Sequence, residues 1–125
     1  MAVQSFEQLT VYRLAEGLAD VVWEISSAFK PFARDTAGKQ LVRAADSIGA
    51  NIAEGFGRGS YADNKRFIRI ARGSLYETQH HLRRCYRRNL LNRLQIATVK
   101  KLIEDLRPRL NAYLKFIGSR RPNDQ

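Results

Sequence analysis

The chain has 125 residues, 44% of them hydrophobic, which predicts one folded domain with a modest core and excludes a disordered segment. Twenty-two Lys and Arg against 12 Asp and Glu give a net charge of +10 and a pI near 10.4, which favours a polyanionic partner. There is no run of 18 apolar residues and no basic-then-apolar leader, and the single Cys85 excludes an internal disulfide, so a reducing, cytoplasmic setting is expected and a membrane is not.

Ser5 with Gln8 matches a capping box, and apolar periodicity predicts helix one over about 6–29. Val11, Leu14, Ala15, Leu18, Val21, Val22, Ile25, Ala28 and Phe29 share its core face. Leu9, Tyr12, Ala19 and Trp23 form a second apolar stripe about 100° or more away. Two readings stand: partly exposed residues at the bundle edge, or a subunit interface carried by Leu9, Tyr12 and Trp23. The helix is acidic, with Arg13 against Glu7, Glu16, Asp20 and Glu24, a net of −3.

Lys30-Pro31 ends helix one, and helix two is expected from about Asp35, as cap, to 55. Its core face is Ala37, Leu41, Ala44, Ala45, Ile48, Ile52 and Phe56. Gly55, Gly57 and Gly59 then alternate with Phe56 and Arg58, and the glycines are expected to close the helix with a positive φ. Ser60, with Asp63 three residues on, caps the next helix. A phosphate-binding loop would need a preceding strand and a Gly-Lys-Ser/Thr step, neither of which is here, so Gly55 to Gly59 is read as a structural turn. Asn51, Glu54, Gly55, Gly57 and Arg58 are assigned to it. Glu54 has no nominated acid or base beside it, so it is expected to hold turn backbone or pair with an arginine.

Helix three is expected over about 61–88. Phe67, Ile68, Ala71, Ser74, Leu75, Thr78, Leu82, Cys85 and Tyr86 form its buried face. Within that face Cys85 is a packed thiol, not a nucleophile. On the opposite face Lys65, Arg69, Arg72, Tyr76, His80, Arg83 and Arg87 fall within about 80° of one another, flanked by Arg66 and Arg84. Eight basic and two acidic residues give the helix +6, and seven of the eight are arginine. The stripe spans about 33 Å, comparable with one turn of duplex DNA. A solvated face or a surface for an acidic protein are the alternatives. The missing opposite charges at i+4, and the preference for arginine, whose planar fork suits phosphate, point to nucleic acid. Tyr76 is placed to stack on a splayed base. His80 and His81 point about 100° apart, so they and Cys85 make no metal site.

Asn92 with Gln95 caps helix four, about 93–117, whose apolar period continues across Pro108 and predicts a kink near Arg107. Its net charge is about +4. Residues 119–125 form a polar tail expected to fray.

Asn51-Ile52-Ala53-Glu54-Gly55-Phe56-Gly57-Arg58, preceded by Ser47-Ile48, resembles the signature of four-helix-bundle proteins encoded in intervening sequences of bacterial large-subunit ribosomal RNA genes. Phe6-Glu7-Gln8-Leu9, Gln40-Leu41-Val42-Arg43-Ala44-Ala45 and Ala71-Arg72-Gly73-Ser74-Leu75-Tyr76-Glu77 extend the resemblance over roughly 6–117. Gly49 departs from it, since the family often has proline there. A related group is the accessory variability determinant of diversity-generating retroelements. The resemblance implies a homopentamer and no catalytic activity.

The expected protein is therefore all-α, an antiparallel up-down-up-down four-helix bundle assembled as a homopentameric ring. The expected function is non-catalytic, homo-oligomeric binding of RNA or DNA, in one version as accessory to a retroelement reverse transcriptase. The alternative is a protein-interaction scaffold encoded in a ribosomal-RNA intervening sequence, with charge serving solubility. No nucleophile–base pair, metal set or cofactor loop suggests an enzyme.

Overall fold

Four long helices carry the chain: α1 (Thr10–Ser27), α2 (Lys39–Phe56), α3 (Tyr61–Arg87) and α4 (Arg93–Gly118). They belong to a computed structural model that describes residues 3–119, among which there is no strand. Each helix packs on its neighbours in the chain, and α4 closes on α1. The architecture is an all-α four-helix bundle. Of the tail 119–125 expected to fray, residues 120–125 lie outside the described residues, as do residues 1–2 of the start.

The first turn differs from the single helix expected from residue 6. Phe6–Gln8 is a 3-10 turn, in which Gln8 Oε1 accepts from the backbone N–H of Gln4 at 2.7 Å and of Ser5 at 3.3 Å. Leu9 is extended (φ −72°, ψ 129°), so α1 starts only at Thr10. Its C-terminal limit follows from Pro31, which holds Lys30 extended (φ −62°, ψ 155°).

Helix two begins earlier than the Asp35 cap expected for it. Pro31 opens a single α turn, Pro31–Ala33, and a π-helical turn, Arg34–Gly38, leads directly into α2. Proline at the first helical position has its φ preset and no N–H bond to lose, which is why the helix starts there. Asp35 lies inside this path, paired with Arg34 at 3.1 Å. The π turn delivers Gly38 against α1, where a Cβ would stand 3.2 Å from the Phe29 ring and 3.4 Å from Ser26 Cβ.

The glycine turn also differs from expectation. Among the described residues no glycine has a positive φ, and α2 runs through Gly55 and Phe56 to a cap at Gly57 (φ −78°, ψ −7°). What Gly55 supplies is room. A Cβ there would meet Asn64 Oδ1 at 2.7 Å, Phe67 Cβ at 3.0 Å and the Asn64 carbonyl at 3.1 Å. Ser60 then caps α3, its Oγ accepting from the Asp63 N–H at 3.2 Å. Among the described residues the one positive φ is at Asn89 (60°), past the end of α3, where Leu90 N–H bonds the Cys85 carbonyl at 2.9 Å in a Schellman closure. Asn92 and Gln95 cap α4 reciprocally at 2.8 and 2.9 Å.

The core is a continuous cluster in which Leu18, Leu41, Ile48, Ile52, Ile68, Leu75, Leu106 and Leu110 are wholly buried. Each such side chain contributes roughly 1.5–3 kcal/mol of burial. Four residues assigned to core faces sit elsewhere: Ala28 is exposed, Phe56 and Phe67 are half-buried, and Tyr86 is 54% exposed. Tyr86 follows Cys85 by one residue, and the 100° step carries its ring out of the seam. In α4 the helix continues through Pro108 to Gly118.

Candidate nucleic-acid interface

The α3 helix owes its length to its buried seam, Ile68, Ala71, Ser74, Leu75, Thr78, Leu82 and Cys85. Thr78 Oγ1 donates to the Ser74 carbonyl at 2.8 Å, so its hydroxyl is satisfied inside the core. With that seam fixed, the basic stripe must face outward. Arg66, Arg69, Tyr76, His80, Arg83, Arg84 and Arg87 are exposed, and Lys65 and Arg72 are half-buried.

The stripe is divided among three grooves. Lys65, Arg72 and Tyr76 line one with Asn111 and Lys115 of α4. Arg83 lines a second with Lys100, Glu104 and Arg107 of α4. His80 and Arg84 face the other way, into a cleft with Lys39 and Arg43 of α2. Arg69 and Arg87 stand on the ridge between them. Arg66 is the least available member: its guanidinium lies 4.6 Å from the Phe67 ring centre and 3.7 Å from Asp63. Among the described residues, Lys65, Arg69, Arg72, Arg83, Arg84 and Arg87 have no carboxylate partner, while Glu77 lies 3.9 Å from His81.

Sequence reasoning missed Lys39, Arg43, Arg88, Lys100, Arg107 and Lys115. The i, i+4 spacing of Lys39 and Arg43 was a usable signal, but only packing puts them beside His80 and Arg84.

Around the turn, Asn51 Nδ2 donates to the Ser47 carbonyl (2.8 Å) and Ser47 Oγ (3.0 Å), and Ser47 Oγ bonds Ser74 Oγ at 2.9 Å. Asn51 thus bonds within α2 rather than to the turn, and Ser47 carries the link to α3. Arg58 covers the Phe67 ring at 4.9 Å. Glu54 is exposed, with no hydrogen bond or ion pair among the described residues, so neither job expected of it is seen.

The second stripe of α1 divides as well. Leu9, Tyr12 and Ala19 are half-buried against this chain's own core, whereas Trp23 is 61% exposed. Tyr12 packs edge-on to Phe6 at 4.8 Å and over Gly49, where a Cβ would stand 3.4 Å from the ring. Burial, with Glu16, Glu7 and Asp20 nearby, pushes the Tyr12 hydroxyl above its ordinary pKa. Beside it, Ala15, Ala19, Ala45, Ala50 and Ala53 floor a groove rimmed by Glu16, Asp20 and Asp46.

Cys85 is wholly buried, and burial pushes its thiol pKa up against the lowering effect of Arg88. It is held as the neutral thiol. No helix among the described residues is long and apolar enough to cross a membrane, and none of their His, Cys, Asp and Glu side chains group in threes around a possible metal position.

No curated protein matches the chain significantly. The family model for the 23S rRNA-intervening sequence protein matches residues 7–112, from the 3-10 turn through most of α4. That span holds every residue of the basic stripe and the whole turn, and the chain belongs to the 23S rRNA-intervening sequence protein family.

Proposed function

We propose that this protein is a non-catalytic, homo-oligomeric nucleic-acid-binding protein whose contact surface is the outer face of α3 with the flanking edges of α2 and α4. The observation that carries the reading is the set of six α3 cations without carboxylate partners among the described residues. Like charges at i+3 and i+4, such as Lys65–Arg69, Arg83–Arg87 and Arg84–Arg88, each destabilise a helix by a few tenths of a kcal/mol, or roughly 1–2 kcal/mol over the stripe. A polyanion relieves that repulsion. Binding would be phosphate-dominated and weakly sequence-specific. With six phosphates neutralised on duplex DNA, the log–log slope of affinity against salt would be about −5.

The assembly is proposed as an antiparallel up-down-up-down bundle in a homopentameric ring. Gly55 beside Asn64 and Phe67, Ser47 beside Ser74, and Arg43 beside His80 and Arg84 support the antiparallel order. The acidic groove along α1 and α2 suits the basic surface of a second copy. One version of this reading docks a reverse transcriptase on the ring, which co-purification of the two proteins would test. A cytoplasmic location is part of the proposal.

Charge reversal at Arg69, Arg72 and Arg83 tests the stripe. The triple variant should keep its mass and lose binding to RNA and DNA at low salt. Wild-type binding by that variant would refute the stripe as the contact surface. Family membership favours a second reading, a protein-interaction scaffold encoded in a ribosomal-RNA intervening sequence. Phe32 (83% exposed) and Leu94 (76%) would then be contact residues. Absence of binding to any nucleic acid at low salt would favour it.

A further inference from the structure

The cleft between the start of α2 and the end of α3 gathers a group of cations in a concave space. Lys39 and Arg43 enter from α2, His80, His81 and Arg84 from α3, and Arg88 from the cap at its end, around a space of about 490 Å³. That volume falls within the range of small-molecule sites. Few counter-charges reach it. Asp35 is paired with Arg34 at 3.1 Å, and Glu77 lies 3.9 Å from His81. Four permanent cations with little compensation repel one another, and their arrangement on two helices converges on one volume rather than spreading along a ridge. Thr36 and Gln40 add neutral polar side chains to the same wall. A ridge contacts a running backbone from one side, whereas this cleft can surround one compact anion from two.

We propose that this cleft is a site for the phosphate group of a nucleotide, carried at a strand end or by a free nucleotide. Arginine forks from both helices are suited to grip its oxygens, and Lys39 supplies a point charge. The site deepens the nucleic-acid reading, because it gives the molecule a preference for phosphorylated ends that the α3 ridge does not provide.

The test compares one oligonucleotide bearing a 5′-phosphate with the same oligonucleotide bearing a 5′-hydroxyl, and adds a free nucleoside triphosphate as competitor and direct ligand. The proteins are wild type, a Lys39→Gln/Arg43→Gln variant and an Arg13→Glu control, which removes the same amount of positive charge far from the cleft and the basic stripe. Lys39, Arg43 and Arg13 are all exposed, so the variants should fold, which circular dichroism checks. Wild type should prefer the 5′-phosphate about tenfold, the worth of one charge-assisted contact. Lys39→Gln/Arg43→Gln should erase the preference and triphosphate binding, while Arg13→Glu retains both. Equal binding of the two oligonucleotides, with no triphosphate binding, overturns the cleft and leaves the nucleic-acid reading standing. Loss of the preference in Arg13→Glu to the same degree overturns it too, in favour of a diffuse field. Triphosphate binding that needs Lys39 and Arg43, with no oligonucleotide binding, supports the cleft and removes the nucleic-acid reading.

Discussion

The same substitution, glycine to alanine, should have opposite effects at two helical positions. Gly73 lies in α3 with nothing within 4 Å of a prospective Cβ. Gly73→Ala should therefore stabilise by up to about 1 kcal/mol, the helix-propensity difference. Gly55→Ala gains the same term but meets α3. The 2.7 Å contact with Asn64 Oδ1 does not decide the outcome, since that side chain can swing aside. The contacts with Phe67 Cβ at 3.0 Å and the Asn64 carbonyl at 3.1 Å do decide it. Those atoms move only if α2 and α3 separate, which are the two helices with the most extensive shared interface. Overpacking of this kind costs about 1–3 kcal/mol. The two variants should then differ by that amount. At about 2.1 cal/mol/K per residue over 125 residues, the difference is roughly 4–11 °C in Tm. Thermal unfolding followed by circular dichroism at one protein concentration reads it directly. Equal Tm values for the two variants would refute the close-approach account of Gly55 and return it to a turn residue.

Three further outcomes follow from named contacts. Asn89→Val should cost about 1–2 kcal/mol in a denaturant titration, because Asn89 holds φ 60°, while Asn89→Gly should be neutral or stabilising. Tyr12 and Cys85 are acids whose folded pKa values are raised from 10.0 and 9.0, so the stability they lend is full below those values and lost as pH rises through the folded pKa. Tm should fall above about pH 9, and Cys85→Ala should flatten the first part of that fall while lowering Tm throughout by about 1 kcal/mol equivalent. Trp23→Ala should leave helicity intact and reduce the light-scattering mass from the proposed five copies of 14.3 kDa, about 72 kDa, because Trp23 is the one exposed member of its stripe.

Local chemistry was legible and packing was not. Ser60 with Asp63 and Asn92 with Gln95 act within four residues of chain, so their capping roles could be read from the letters. The buried seam of α3 was readable from period alone, except at its edges, Phe67 and Tyr86, where one helical step decides exposure. Gly55 was misread because its function depends on Asn64 and Phe67 across the helix pair. Tyr12 was placed with Trp23 because both share a wheel sector. Only the 3-10 turn bringing Phe6 against it shows that its ring packs half-buried on this chain's own core. The basic stripe was legible as a line of charge; its division among three grooves depends on which neighbouring helix each residue meets.

The two halves of the proposal place different demands on salt. In the cyclic order α1, α2, α3, α4, helices α1 and α3 are diagonal, so the acidic groove and the basic ridge point away from each other. A ring closed through the acidic groove therefore does not have to bury the α3 ridge. The groove floor is alanine, which admits close helix packing whose strength does not depend on ionic screening. The ridge has nothing but charge and Tyr76 to offer a ligand. Raising salt should thus release nucleic acid steeply while the oligomer persists. If instead mass and binding fall together along one salt curve, assembly is electrostatic, and the partner of the basic face is the acidic face of a second copy rather than a nucleic acid.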